Sequence, residues 1–336
     1  MDQTDAQVVL TPTGVQCESF RDIPEQIEEL IKDNSKDKNI PRNNNEYPMK
    51  SLPRGYSLII NNSSFKPESG FQARTGSEED VRKLFDLFNY LGFYITSKQD
   101  LGSDDIKTSI EDFQKMFVRN PVDMCVVCVM SHGSNGNLLD INGKEMDVEE
   151  DIVRKFYNNE APFLQGIPKL FLLQYCRGDE LDFGVEESFT ETRGTVRPLG
   201  SAPILKAPKL PSATDILIAN STIPGFVSNR NTKHGAWFFQ CLETVFRELA
   251  ENMDIRDMFD QVAMMLNEKE SKDTGRRKQT FEVINRGFFK KLFFNPTDGF
   301  KQDSIEVWKE DIEKDIETRG DGFRRKIKDP WRGSFN

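Results

Sequence analysis

Two residues in this chain have both the type and the setting for covalent chemistry, Cys176 and His132. Cys176 closes the run Lys169-Leu170-Phe171-Leu172-Leu173-Gln174-Tyr175-Cys176. Its four consecutive apolar residues predict a strand covered on both faces, as in a parallel sheet. Arg177-Gly178 then turns the chain away, and the carboxyl end of such a strand is where open α/β sheets place their ligands. A guanidinium beside a partly exposed thiol favours the thiolate, which is the nucleophilic form. A cysteine by itself is more often a small apolar core residue, so a partner must decide. Of the two histidines, His132 follows a second unbroken apolar strand, Met124 to Met130, and precedes Gly133. If the two strands are neighbours, the thiol and the imidazole meet at one rim, a pair suited to attack on a carbonyl. His234 lies in the polar turn Asn231-Thr232-Lys233-His234-Gly235 and reads as a solvated turn or cap residue.

These strands need a scaffold, and the chain alternates strand and helix signals, which predicts an α/β domain with a largely parallel sheet. Tyr56 to Asn61 is a first strand. Ser77 is read as capping a helix whose buried face is Val81, Leu84, Phe85, Phe88 and Leu91. Phe93 to Ser97 is a second strand, and Ser103 opens a helix with Ile106, Ile110, Phe113 and Phe117 on one side. Leu138 to Lys144 reads as a hairpin with an Asn-Gly turn, and Asp147 to Tyr157 as helical. After the Cys176 strand come a strand from Asp215 to Ala219, a helix from Ala236 to Leu249, and a helix capped by Asp254. Phe288 to Phe294 is read as the last strand. Ile305, Trp308, Ile312 and Ile316 fall at i, i+3, i+7 and i+11, which predicts a C-terminal helix; packing on the core and binding a partner are equally open for it.

The 336 residues suffice for a full core. A net charge of −10 argues against a nucleic-acid footprint. No apolar run reaches the ~18 residues of a membrane span, and the first residues lack the basic start and apolar run of a signal peptide. Five cysteines without framework spacing fit a reducing cytoplasm. Cys125 and Cys128 would lie on opposite faces of their strand, so they read as core rather than as joint metal ligands. No metal or organic cofactor is expected. Nor is a nucleotide, since no glycine-rich phosphate loop is present.

Gln174-Tyr175-Cys176-Arg177-Gly178 and Ser131-His132-Gly133, the histidine upstream at a spacing similar to the family's ~50 residues, resemble the motifs of caspases, cysteine proteases that cut after aspartate. The resemblance runs from about Gly55 to Asn295. It implies a three-layer α/β sandwich with a mostly parallel six-stranded sheet, helices on both faces and the last strand antiparallel. It implies Cys176 as nucleophile, His132 as acid and base oriented by the main-chain carbonyl of Gln72, and Gly133 N–H with Cys176 N–H as oxyanion donors. Arg74 in Ala-Arg-Thr-Gly, Gln174, Arg230 and Ser228 match the pocket for the substrate's acidic side chain. Two arginines suit it, since a guanidinium grips a carboxylate bidentately. The family also implies protein substrates, a homodimer or caspase heterodimer through the last strand, inhibitor or adaptor proteins, and a zymogen acting in the cytoplasm in cell death or immune signalling.

The resemblance divides the chain into a short polar prosegment (1–53), a large-subunit region (54–178), an exposed linker (179–213), a small-subunit region (214–296) and a charged C-terminal extension (297–336). The prosegment is too short for a recruitment domain, and the whole resembles an insect initiator caspase. No aspartate lies between Phe183 and Thr214, so if the linker is processed Glu191 is the foremost cleavage candidate, with Asp179 and Asp182 as alternatives close to Cys176; activity without any cut is the further alternative. Three positions depart from the family: Tyr175 replaces Ala, Asn229 stands where Trp is common, and Val227 where an aromatic is. Tyr175 and the missing linker aspartates leave a second reading open, a catalytically weak homologue that regulates another caspase by heterodimerisation.

Overall fold

The computed structural model describes residues 45–183, 211–271, 276–297 and 302, and the backbone of 306–309. Its strands and helices are β1 (Tyr56–Asn61), α1 (Ser77–Tyr90), β2 (Tyr94–Gln99), α2 (Ser103–Arg119), β3 (Cys125–Met130), the small strands β4 (Gly133–Ser134), β5 (Asn137–Leu139) and β6 (Glu145–Met146), β7 (Lys169–Gln174), β8 (Ile216–Asn220), the hairpin β9 (Arg230–Asn231) and β10 (Gly235–Ala236), α3 (Trp237–Leu249), α4 (Ile255–Glu268), β11 (Glu282–Arg286) and β12 (Glu306–Lys309). The main sheet runs β11-β8-β7-β3-β1-β2-β12. β2, β1, β3, β7 and β8 are parallel, and β11 is antiparallel to β8. This is the expected α/β sandwich of six strands, with β12 added as a seventh, parallel to β2.

The hydrophobic strands dictate this arrangement. β1, β3 and β7 are buried along their whole length, so both faces of the sheet must be covered. Alternate residues feed two cores. Ile59, Val126, Cys128, Leu170 and Leu172 pack with α1, α3 and α4, whereas Leu58, Cys125, Val127, Val129 and Phe171 pack with α2. Cys125 and Cys128 therefore do face opposite ways, and burial pushes both thiols well above the usual range.

Four expectations change. The last core strand is Glu282–Arg286, not Phe288 to Phe294. Gly287 takes a left-handed φ of 61°, and Asn285 caps the turn by accepting Phe288 N–H at 2.9 Å. The chain leaves the ladder there, and Phe288, Leu292 and Phe294 drop into the core. Burying a large apolar side chain is worth about 1.5–3 kcal/mol, whereas a ladder hydrogen bond nets about 0.5–1.5 kcal/mol, so burial wins. Helix α1 is capped by Gly76 rather than Ser77; Ser77 is buried and its hydroxyl accepts from Asn61 Nδ2. Asp147 to Tyr157 is not one helix but a single α turn, Val148–Asp151, followed by a 3-10 turn, Val153–Phe156. Residues 306–309 form a strand where a helix was expected; Ile305, Ile312 and Ile316 lie outside the described residues, as does Glu191.

Residues 45–53, assigned from the sequence to the polar lead, are partly built into the body. Tyr47 and Met49 are buried, the Tyr47 hydroxyl donates to Asp215 Oδ1 at 2.7 Å, and Asn45 and Tyr47 exchange backbone bonds with Lys291. No helix among the described residues is long and apolar enough to cross a membrane.

Candidate active site

The carboxyl ends of β1, β3 and β7 are level, with Asn61 opposite Met130 and Met130 opposite Gln174. Each strand delivers one part of the site. Beyond β3, Ser131 N–H donates to Gln174 O at 3.1 Å, so His132 and Cys176 emerge side by side. Gly133 packs directly on the Cys176 carbonyl, so close that a Cβ at this position would collide with that oxygen and stand 2.8 Å from the Tyr175 ring. That close approach is the reason for a glycine after the histidine. The Tyr175 side chain is buried in the core on the α2 side of the sheet.

His132 is nearly fully buried. Its Nε2 lies 2.7 Å from Gln72 O, and because a carbonyl only accepts, Nε2 carries the hydrogen. Its ring packs against two others, Phe65 at 4.7 Å and Phe71 at 5.4 Å between centroids, and those two pack on each other at 6.0 Å. The loop bearing Phe65 is fixed by Asp100 at the end of β2, whose Oδ1 accepts from Ser63 N and Ser64 N, both at 2.8 Å.

Cys176 is 3 % exposed, and its Sγ accepts Ser228 N–H at 3.5 Å. The chain past it pairs with Gly225 to Val227: Arg177 N donates to Phe226 O, Glu180 N to Gly225 O and Val227 N to Glu180 O. This pairing draws the Ser228–Arg230 segment towards Cys176, whose Sγ meets Ser228 N–H. Arg177 itself reaches away, to Glu282 Oε2 on β11 at 2.6 Å and to Thr222 O at 3.1 Å.

Of the pocket residues, Arg74 is 0 % exposed; its Nη1 donates to Asn61 Oδ1 (3.1 Å) and Asn62 O (3.0 Å). Gln174 Nε2 donates to Ser228 Oγ at 2.6 Å, and Arg230 is buried at the start of β9. Gly76, with φ of 89°, brings the Arg74 loop onto this hairpin, where an added Cβ would lie 2.6 Å from Thr232 O. His234 lies in the turn of the hairpin and not on the rim, and burial together with Lys83 and Lys233 lowers its pKa. Asn229 is buried with Nδ2 donating to Lys278 O at 3.2 Å, so it presents no ring to a neighbouring subsite.

Two contributors escape a reading of the sequence. Gln279 braces the Ser228–Asn229 segment: its Oε1 accepts Asn229 N–H at 2.7 Å and its Nε2 donates to Ser221 O at 2.7 Å. Asp80, in the first turn of α1, is fully buried; its Oδ1 accepts Ala236 N–H at 2.8 Å. Its carboxyl packs on Gly235, where a Cβ would collide with it. Burial pushes the Asp80 pKa up to about 6 against the opposing pull of the Ala236 N–H, Arg230, Arg74 and Lys83. Capping-box logic notices the acid but not where it points.

The folded state thus holds a proton on Asp80 that the unfolded chain releases near 3.8. Its contribution to stability is fully present below that value, falls as the pH rises towards about 6, and is lost above it. Asp80→Asn is expected to remove this slope. Paired urea titrations of the two proteins at several pH values across that window check it: the stability difference should move in favour of the variant as the pH rises.

No cluster of His, Cys, Asp or Glu among the described residues could hold a metal ion. The site brings a thiol and an imidazole to adjacent strand ends of an open α/β sheet, with two buried arginines on nearby segments, an arrangement suited to the cysteine-nucleophile class of chemistry. The comparisons carry this one step further. The chain belongs to the caspase family: residues 54–293 match the family described as Caspase domain. It is 32% identical to caspase-2 of Gallus gallus over 228 residues, 67% of this chain and 54% of that protein. It is 32% identical to caspase-9 of Homo sapiens over 268 residues, 74% and 63% respectively. The chain therefore spans less than two thirds of the length of these two relatives. The crystal structure of caspase-1 from Spodoptera frugiperda superposes with a TM-score of 0.65 at 29% identity, over 77% of this chain and 98% of that one.

Proposed function

We propose that the protein is a cysteine endopeptidase that cleaves proteins after aspartate, with glutamate accepted as well. The observation that carries this reading is the convergence of Cys176, His132, Arg74, Gln174, Ser228 and Arg230 at one rim, each held by its own backbone or side-chain anchor. The Cys176 thiolate attacks the scissile carbonyl. His132, with Nε2 held by Gln72 O, exchanges protons through Nδ1: it protonates the leaving amine and then takes a proton from the water that hydrolyses the thioester. The N–H groups of Gly133 and Cys176 stabilise the oxyanion. Arg74 and Arg230 bind the substrate carboxylate, and Gln174 orients it. In this reading no cofactor takes part.

Dimerisation through β11 fits the same picture. β11 is the edge of the sheet, half-exposed along its length, with Val283 exposed on it; an open strand edge asks for a partner strand. The Arg177–Glu282 bond ties that edge to the residue after the nucleophile. Linker processing at Glu191, a cytoplasmic location and a role in cell-death or immune signalling belong to the proposal too. Asp179 and Asp182 suit cleavage less well, because the segment between them is bound, with Glu180 N donating to Gly225 O and Lys278 N to Asp182 O.

The test is turnover of fluorogenic peptides ending in Asp, Glu or Asn by the purified chain, beside Cys176→Ala. Acid-selective cleavage that the variant loses by about 10³-fold or more supports the protease. No turnover from a folded, concentrated dimer would instead favour the regulatory homologue, the reading for which Tyr175 and the aspartate-free linker speak.

A further inference from the structure

The edge of the sheet opposite β11 is occupied by the chain's own C-terminal segment, beyond the 54–293 region that matches the family. Three anchors lead there. Asn295 O accepts from Arg54 Nε at 2.9 Å, and its Nδ2 donates to Met49 O at 3.2 Å. Gln302 follows, and its side-chain amide does what a neighbouring strand would do: Oε1 accepts Ile95 N–H at 2.7 Å and Nε2 donates to Ile95 O at 2.9 Å. Asn89 of α1 completes the exchange, donating from Nδ2 to Gln302 O at 2.9 Å and accepting Gln302 N–H at 2.8 Å. β12 then continues the ladder in parallel, Glu306 opposite Thr96 through Lys309 opposite Gln99.

We propose that the β2 edge is a strand-binding groove, that its occupants are Gln302 and the strand Glu306–Lys309 of this chain, bound in cis, and that the Asn89–Gln302 exchange sets their register. A bare strand edge leaves a row of backbone donors and acceptors open to any extended segment. Backbone pairing alone specifies register weakly, whereas the amide exchange fixes one residue, and the strand that follows it has a single parallel alignment. With the segment in place, the β2 edge is paired from Ile95 to Gln99, and β12 is the outer strand on this side of the sheet. Without it the six residues of β2, Tyr94–Gln99, would themselves be the bare edge. The groove is defined by backbone geometry and one amide, so its ligand class is an extended peptide with a glutamine four residues ahead of its first paired residue.

The experiment compares the full chain with a chain ending at Thr297. Amide exchange over Tyr94–Gln99 is expected to be about tenfold or more faster in the shortened chain. A synthetic peptide of residues 299–312 should bind the shortened chain and not the full one, and a Gln302→Ala peptide should bind about tenfold or more weakly. Unchanged exchange, or equal binding of the peptide to both chains, overturns the proposal. Should the shortened chain fail to fold, Asn89→Ala in the full chain provides the same readout: faster exchange over both Tyr94–Gln99 and Glu306–Lys309 supports the groove, and unchanged exchange overturns it. None of these readouts involves peptide cleavage, so the result is separate from the protease assignment.

Discussion

Arg74→Ala is expected to lower kcat/KM for substrates ending in aspartate by about 10²–10³-fold, in line with the roughly 2–5 kcal/mol that follows from truncating one partner of a buried, hydrogen-bonded charge pair. The loss should be far smaller for a substrate ending in asparagine. In the proposed pocket a neutral isostere offers the two guanidiniums no substrate carboxylate, and this rejection is expected to set specificity more than attraction does. The variant should therefore lose discrimination as well as rate. Arg74 also holds Asn61 and Asn62, so some loss of stability will accompany the change. The ratio of kcat/KM for the Asp and Asn peptides separates the two effects, because unfolding scales both substrates alike. Arg74→Lys keeps the charge and loses the planar fork; it should recover part of the rate. An unchanged Asp-to-Asn ratio in Arg74→Ala would remove Arg74 from the pocket.

Gly133→Ala should be nearly as damaging with a far smaller change in composition. The new methyl group would collide with the Cys176 carbonyl and press on the Tyr175 ring. Either the His132–Gly133 segment or the Cys176 segment must withdraw, and both carry a proposed oxyanion donor. Misplacing one such donor costs about 10²–10³-fold in kcat, whereas overpacking costs about 1–3 kcal/mol of stability. The expected outcome is a folded protein, modestly less stable, with turnover lost mainly in kcat. Steady-state kinetics beside a thermal melt would check it. Wild-type turnover from the variant would show that the close packing here is structural only.

The parts of this architecture that could be read from sequence are those fixed by local burial. Both faces of β1, β3 and β7 are covered, so their apolar runs are unmistakable, and α1 and α2 show one apolar face each. Cys176 and His132 stand out because each directly follows such a strand. What could not be read depends on distant partners. β11 is polar in sequence because Glu282 serves Arg177 and Arg286 serves Glu149 on the far side of the linker. The more apolar run after it looks like a better strand and is core filler. The repeat from Ile305 to Ile316 has a helical period, yet residues 306–309 pair with β2, since a free strand edge offers backbone partners that a local pattern does not encode. Asp80, Gln279, Phe65 and Phe71 act on the site only once the hairpin and the Gly76 turn bring their elements together.

The packing of residues 45–49 reaches across what the family resemblance divides into two subunits. Asn45 and Tyr47 are bonded to Lys291, Tyr47 to Asp215, and Met49 to Asn295, while the same stretch runs directly into β1. Together with the pairing of β7 and β8, this makes the N-terminal arm a strap sewn through both halves. A break anywhere between Phe183 and Pro211 would change the number of polypeptides without changing the number of particles. The described body on either side of the break would stay in one piece.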